Sequence, residues 1–222
     1  MTRATNARLA GFAFFFYIAV GITSMVLSNR AISGEGIAAK LASIAQHATD
    51  LRVYAVLILL TSFSALVLGV TFYAITREQD PDLAMLALTC RVIEAVNAAT
   101  SLKWTMGLLW LATATGPNAP DAGAAQALGA FLLRGSPSIS ATFFAVGSTL
   151  FSWLLLRGRM VPVLLARLGV VASVMLVVGL PLQLAGFLPD SVTWFLWIPM
   201  AAFEIPLALW LLIKGVRRTG GR

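Results

Sequence analysis

The residues of this sequence that could do chemistry lie in the apolar stretch Leu83 to Thr113, which contains Arg91, Glu94, Asn97, Ser101, Lys103 and Thr105. Ionisable groups are costly in a bilayer, so they face a bundle interior, pair with one another, and mark a functional site by default. At 100° per residue, Glu94, Asn97, Ser101 and Thr105 fall between about −40° and −120° from Arg91, forming a polar stripe on one third of a helix. Lys103 falls at about +120°, away from the stripe, where its ammonium can snorkel toward headgroups. Glu204, flanked by Pro199 and Pro206, is the one acidic residue inside another apolar run. Each proline removes a helix hydrogen bond and frees a carbonyl four residues earlier, here at Phe195 and Ala202. A freed carbonyl must be satisfied internally or line a cavity.

Counted at about 1.5 Å per residue, Glu94 and Glu204 reach the same depth near the bilayer midplane, which predicts a triad with Arg91 between them. Its charges do not balance. One guanidinium faces two carboxylates, so the surplus calls for a proton, a cation or a partner such as Lys103. Arg91 would orient an anionic or carbonyl group, and a carboxyl group of Glu94 or Glu204 would donate a hydrogen bond. Two carboxyl groups in unlike environments can also divide acid and base roles. Glu94 and Glu204 are therefore the catalytic candidates, and Arg91, Glu94, Asn97 and Glu204 the ligand-binding ones. The competing reading is purely structural: a buried ion pair that fixes helix register.

The elements that must hold these residues are membrane spans. The 222 residues are 59% hydrophobic and 11% charged, with a mean hydropathy of +0.88. Soluble chains have about 25% charged residues. Spans are expected at 9–27, 53–75, 83–113, 138–156, 163–188 and 192–213, within a single integral membrane domain over 1–222. The first is too long for a signal-peptide core and is read as a retained span. Residues 35–50 carry Ile37, Leu41, Ile44 and Ala48 at helical spacing among polar residues, an amphipathic helix lying on the surface or capping the bundle. Residues 122–134 make a second short helix. The fold class is thus all-α, a polytopic bundle of about six transmembrane helices plus a short amphipathic surface helix.

Lys and Arg are distributed ten to four between the two sides, which places both termini in the cytoplasm. The ten are Arg3, Arg8, Arg77, Arg157, Arg159, Arg167, Lys214, Arg217, Arg218 and Arg222; the four are Arg30, Lys40, Arg52 and Arg134. The net charge of +7 comes from these clusters beside apolar runs, so no nucleic-acid partner is expected. One Cys, Cys90, excludes an internal disulfide, and one His, His47, excludes a His-based metal or haem site. His47 reads as a solvated or capping residue. A Gly-rich phosphate loop is absent, and neither a metal nor a cofactor is expected.

Four segments carry a resemblance: Ala7 to Phe12, Cys90 to Ala95, Arg157 to Pro162, and Glu204 to Val216. They resemble a family of bacterial multi-pass membrane proteins catalogued as a domain of unknown function, DUF4386. Its more specific parts are Arg-x-x-Glu-Ala in the third span and Glu…Trp-Leu-Leu-x-Lys-Gly at the end. The resemblance implies a plasma-membrane location and no established activity. Members often carry a His in the fourth span, where this chain has Gly147, and an acidic–His pair where it has Ser138 and Ser140, so no His-dependent chemistry transfers.

The sequence thus supports a protein that binds a hydrophobic or amphiphilic small molecule in an intramembrane polar cavity. The alternatives are an intramembrane enzyme acting on an apolar substrate such as an isoprenoid, a proton-coupled transporter, and an accessory subunit. No internal repeat supports the transporter. The lipid bilayer is the one certain partner, and the oligomeric state is left open.

Overall fold

A computed structural model describes residues 1–117, 119–134 and 138–216, with backbone only at Ser138 and Asp190. Asn118, of the predicted breaker loop, and Arg217, Arg218 and Arg222, of the basic tail, lie outside the described residues. Among the described residues are eight helices and no strands: α1 (Arg3–Ala31), α2 (Gly36–Gln46), α3 (Ala48–Thr76), α4 (Pro81–Thr113), α5 (Ala122–Leu133), α6 (Ser138–Arg157), α7 (Val163–Leu184) and α8 (Asp190–Ile213). Six of them, all but α2 and α5, are long and apolar enough to cross a membrane.

The helix starts follow from capping chemistry. The side chains of Thr2, Asp80 and Asp121 accept hydrogen bonds from the backbone N–H groups of Thr5, Leu83 and Ala124 at 3.1, 3.1 and 2.8 Å. These bonds satisfy donors that a helix N-terminus leaves free. Pro81 occupies the first turn of α4, where its missing N–H costs nothing.

Several boundaries differ from the sequence expectation: α1 and α3 run past the expected 9–27 and 53–75 at both ends, and two other ends are cut short. The amphipathic helix ends at Gln46 rather than residue 50, because His47 leaves helical geometry at φ −109°, ψ 31°. Its backbone N–H caps Ser43 O, and its ring Nδ1 lies 3.0 Å from the same oxygen. Ala48 and Asp50 therefore begin α3. The fifth span stops at Leu184 rather than 188, where Gly186 at φ +80° takes the left-handed conformation that ends a helix.

The six long helices pack as a closed ring in the order α1, α3, α4, α6, α7, α8, with α8 returning to α1. The ring is solid at the end that carries the N-terminus, the α3–α4 and α6–α7 connections and Lys214. There Arg3 pairs with Glu78 at 3.1 Å and Arg157 with Asp80 at 3.3 Å. Phe14, Phe72 and Phe151, from three different helices, fill the middle, with centroids 6.2 and 5.3 Å apart. Aromatic rings meeting edge-on or offset add to the burial they provide. At the other end α2 packs on α1, α3 and α4, and α5 on α4 and α2, and Ile44, Leu51, Leu108 and Leu109 form a second, smaller core. The amphipathic helix is therefore a cap on the bundle.

Candidate functional site

Arg91 and Glu94 lie one turn apart on α4 inside the ring, each 4% exposed. Arg91 Nη1 is 2.9 Å from Glu94 Oε2. This is a charge contact without aligned hydrogen-bond geometry, since Oε2 gains no hydrogen bond. The other oxygen, Oε1, accepts a 3.0 Å hydrogen bond from the Tyr17 hydroxyl of α1. The guanidinium carbon sits 5.5 Å from the Tyr17 ring centroid and 5.1 Å from that of Phe144 on α6. A guanidinium desolvated over aromatic faces recovers part of its lost hydration through the ring quadrupoles.

Small residues make room for this arrangement. A Cβ on Gly69 would come within 3.0 Å of Arg91 Cβ, and one on Gly147 within 3.3 Å of Arg91 Cδ and of Cys90 Cβ. Gly147 thus lets α6 close on α4 over the arginine stem, and a larger side chain there would push Arg91 aside. Ser140 ties the same helices by donating to the Glu94 carbonyl at 2.9 Å.

Glu204 is 9% exposed, and its Oε1 is buried without a hydrogen-bond partner. Among the described residues it forms no ion pair. The expected triad with Arg91 between two carboxylates is therefore not a contact triad. The cause is the ring order: α8 packs on α1 and α7 and stands across the ring from α4. Glu204 still feels the charges of both Arg91 and Glu94, as does Tyr17.

Two cavities flank the ion pair. The smaller, about 20 Å³, lies among Phe14, Phe72, Arg91, Ser148, Ser152 and Phe203, a volume sufficient for one water-sized probe. The larger is a crevice of about 1090 Å³ to which all six long helices contribute, together with the end of α5. It is the central opening of the ring toward the capped end. Tyr17, Glu94 and Ser140 line it, as do Asn97, Ser101, Lys103 and the aromatic side chains Tyr54, Trp104, Trp194 and Trp197. Among the described residues the Asn97 side chain makes no hydrogen bond, whereas Ser101 is satisfied by the Ala98 carbonyl at 2.6 Å.

Of the four candidate ligand-binding residues, then, Glu94 and Asn97 line the crevice. Arg91 lies behind Glu94 against the small cavity, and Glu204 lines neither. Thr105, of the predicted stripe, is outside the crevice too, while Lys103, assigned to the opposite side of α4, faces it. The crevice residues of α4, from Glu94 to Trp104, span a wide arc of the helix. Lys103 rests its ammonium 5.4 Å from the Trp104 ring centroid. Tyr17 was legible only as one more aromatic after Phe14, Phe15 and Phe16. Its signal was the hydroxyl, since a phenol placed in a bundle interior must find a partner.

An all-helical bundle with six membrane-crossing helices and polar groups at its centre defines a multi-pass membrane protein, whose apolar outer surface meets the lipid bilayer. Residues 9–215 match the family described as Domain of unknown function (DUF4386), and the chain belongs to that family. No curated protein and no solved structure matches it.

Proposed function

We propose that residues 1–222 form one integral membrane domain that binds a hydrophobic or amphiphilic small molecule in the central crevice. The observation that carries this reading is the crevice of about 1090 Å³. Small-molecule sites of roughly 300–1,000 Å³ are mostly apolar and aromatic, with a few polar groups that fix orientation. Here Tyr54, Trp104 and Trp197 supply the walls, and Asn97, with no hydrogen bond of its own, supplies a polar contact. Arg91 acts through Glu94, holding the carboxylate that a ligand would meet. Ala98 lines the crevice one turn beyond Glu94, so Ala98→Trp should obstruct the crevice next to the ion pair, and an unchanged unfolding temperature would show that the pair itself is intact. Mass spectrometry of hydrophobic compounds co-purifying with the protein should find a defined compound in the wild type that is lost in Ala98→Trp. The same bulk lipids in both would end the ligand reading.

A second reading is favoured by the orphaned oxygen of Glu204 beside the Glu94 ion pair. Two electrostatically linked carboxyl groups of unlike surroundings suit acid–base work on an apolar substrate such as an isoprenoid, with Glu94 the one that meets the crevice. In that case the bound compound is turned over by the wild type, and Glu94→Gln binds it unchanged. Equal turnover by folded Glu94→Gln would dismiss the enzyme.

We further infer that the protein lies in the plasma membrane with both termini cytoplasmic. Among the described residues seven cations, Arg3, Arg8, Arg77, Arg157, Arg159, Arg167 and Lys214, lie toward the terminal end. Four, Arg30, Lys40, Arg52 and Arg134, lie toward the other, as the positive-inside rule requires. In intact cells a membrane-impermeant maleimide should label Ser33→Cys and spare Glu78→Cys. The reverse pattern would invert the topology.

A further inference from the structure

We propose that the crevice selects an anionic amphiphile and that Lys103 receives its head group. This rests on the crevice being a ligand site. The charged residues lining it are Glu94, Lys103 and Arg134. Glu94 is already matched by Arg91, so the crevice itself is left with two cations. Among the described residues Lys103 forms no ion pair, and only the face of Trp104 partners its ammonium. A cleft lined by one sign of charge between low-dielectric walls concentrates the opposite charge.

The position along α4 fits the same occupant. Lys103 is nine residues, or about 14 Å, beyond Glu94 toward the capped end. A ligand with its head on Lys103 would run its chain past Trp104 and Tyr54 toward Phe144 and Tyr17 at the floor. Arg134, at the end of α5, places a second cation on the crevice wall. The shared chemistry is a carboxylate or phosphate on an apolar chain, from either a free single-chain acid or a bilayer phospholipid.

The test uses purified full-length protein in a neutral detergent and follows the fluorescence of the crevice tryptophans during titration. The probes are oleate, oleyl alcohol, phosphatidylglycerol and phosphatidylcholine. Oleate should bind about tenfold or more tighter than oleyl alcohol, the effect of one charge-assisted contact. Lys103→Gln should cut the oleate preference several-fold, Arg134 keeping the remainder, and Lys103→Arg should preserve it; an undiminished preference in Lys103→Gln overturns the role of Lys103. Discrimination between the two phospholipids without oleate binding would also support the proposal and identify the bilayer as the source. Equal binding of oleate and the alcohol overturns the anionic preference but leaves the crevice as a ligand site. Binding of none of the four, with Ala98→Trp identical to the wild type in co-purifying compounds, removes both.

Discussion

Arg91→Leu is expected to be the most damaging single substitution in the bundle, lowering stability by about 3–5 kcal/mol. Among the described residues the arginine is the one cation facing Glu94 and Glu204 inside the ring, and the Glu94 side chain is only 5% exposed. Removing it leaves two carboxyl groups in an apolar interior, one of them still tied to Tyr17. Most of that loss measures the abandoned partners, because replacing a whole buried ionic set by apolar residues is often neutral or stabilising. The variant carrying Arg91→Leu, Glu94→Leu, Glu204→Leu and Tyr17→Phe should therefore regain most of the stability in detergent unfolding. If Arg91→Leu alone unfolds within about 1 kcal/mol of the wild type, the buried charges are better hydrated than the ring implies.

The second large effect belongs to Gly11, on the seam where α8 closes the ring against α1. A Cβ there would lie 2.6 Å from Leu212 N and 2.9 Å from Ala208 O, both backbone atoms that no rotamer change can move. Even Gly11→Ala must separate the two helices, at a cost of about 1–3 kcal/mol. Gly21 on the same helix is the control, since a Cβ there meets nothing within 4 Å. Gly21→Ala should gain up to about 1 kcal/mol from helix propensity alone. Opposite signs for the two changes, read as thermal unfolding shifts, would locate the seam. Equal shifts would mean that α1 and α8 are not held at this distance.

The six spans and both short helices were legible because hydropathy and breakers are local properties. Runs of apolar residues end at Arg77 to Asp82, Gly116 to Asp121 and Arg157 to Pro162, and the helices stop there as well. The Arg91–Glu94 pair was legible for the same reason, being one helical turn. What periodicity along one helix cannot give is the order of helices around the ring. That order separates α8 from α4 and so keeps Glu204 out of contact with Arg91. It also brings Tyr17 to Glu94 across 77 residues of chain. Lys103 was misassigned by a related route. Its angle on α4 was right, but the width of the crevice depends on how far the neighbouring helices stand away, which no single-helix projection contains.

The length of α4 has one more consequence. Its 33 residues extend for about 50 Å, against a hydrocarbon core of about 30 Å. At its C-terminal end α2 and α5 cover Leu108, Leu109 and Leu111. These leucines therefore find an apolar surrounding in the protein itself, whatever the lipid. A bare helix of this length would have to tilt or thicken the membrane around it, at a cost of fractions of a kcal/mol per Å of mismatch. With its own sleeve, the protein should tolerate thin and thick bilayers alike, and changes in acyl-chain length should leave its fold and its crevice undisturbed.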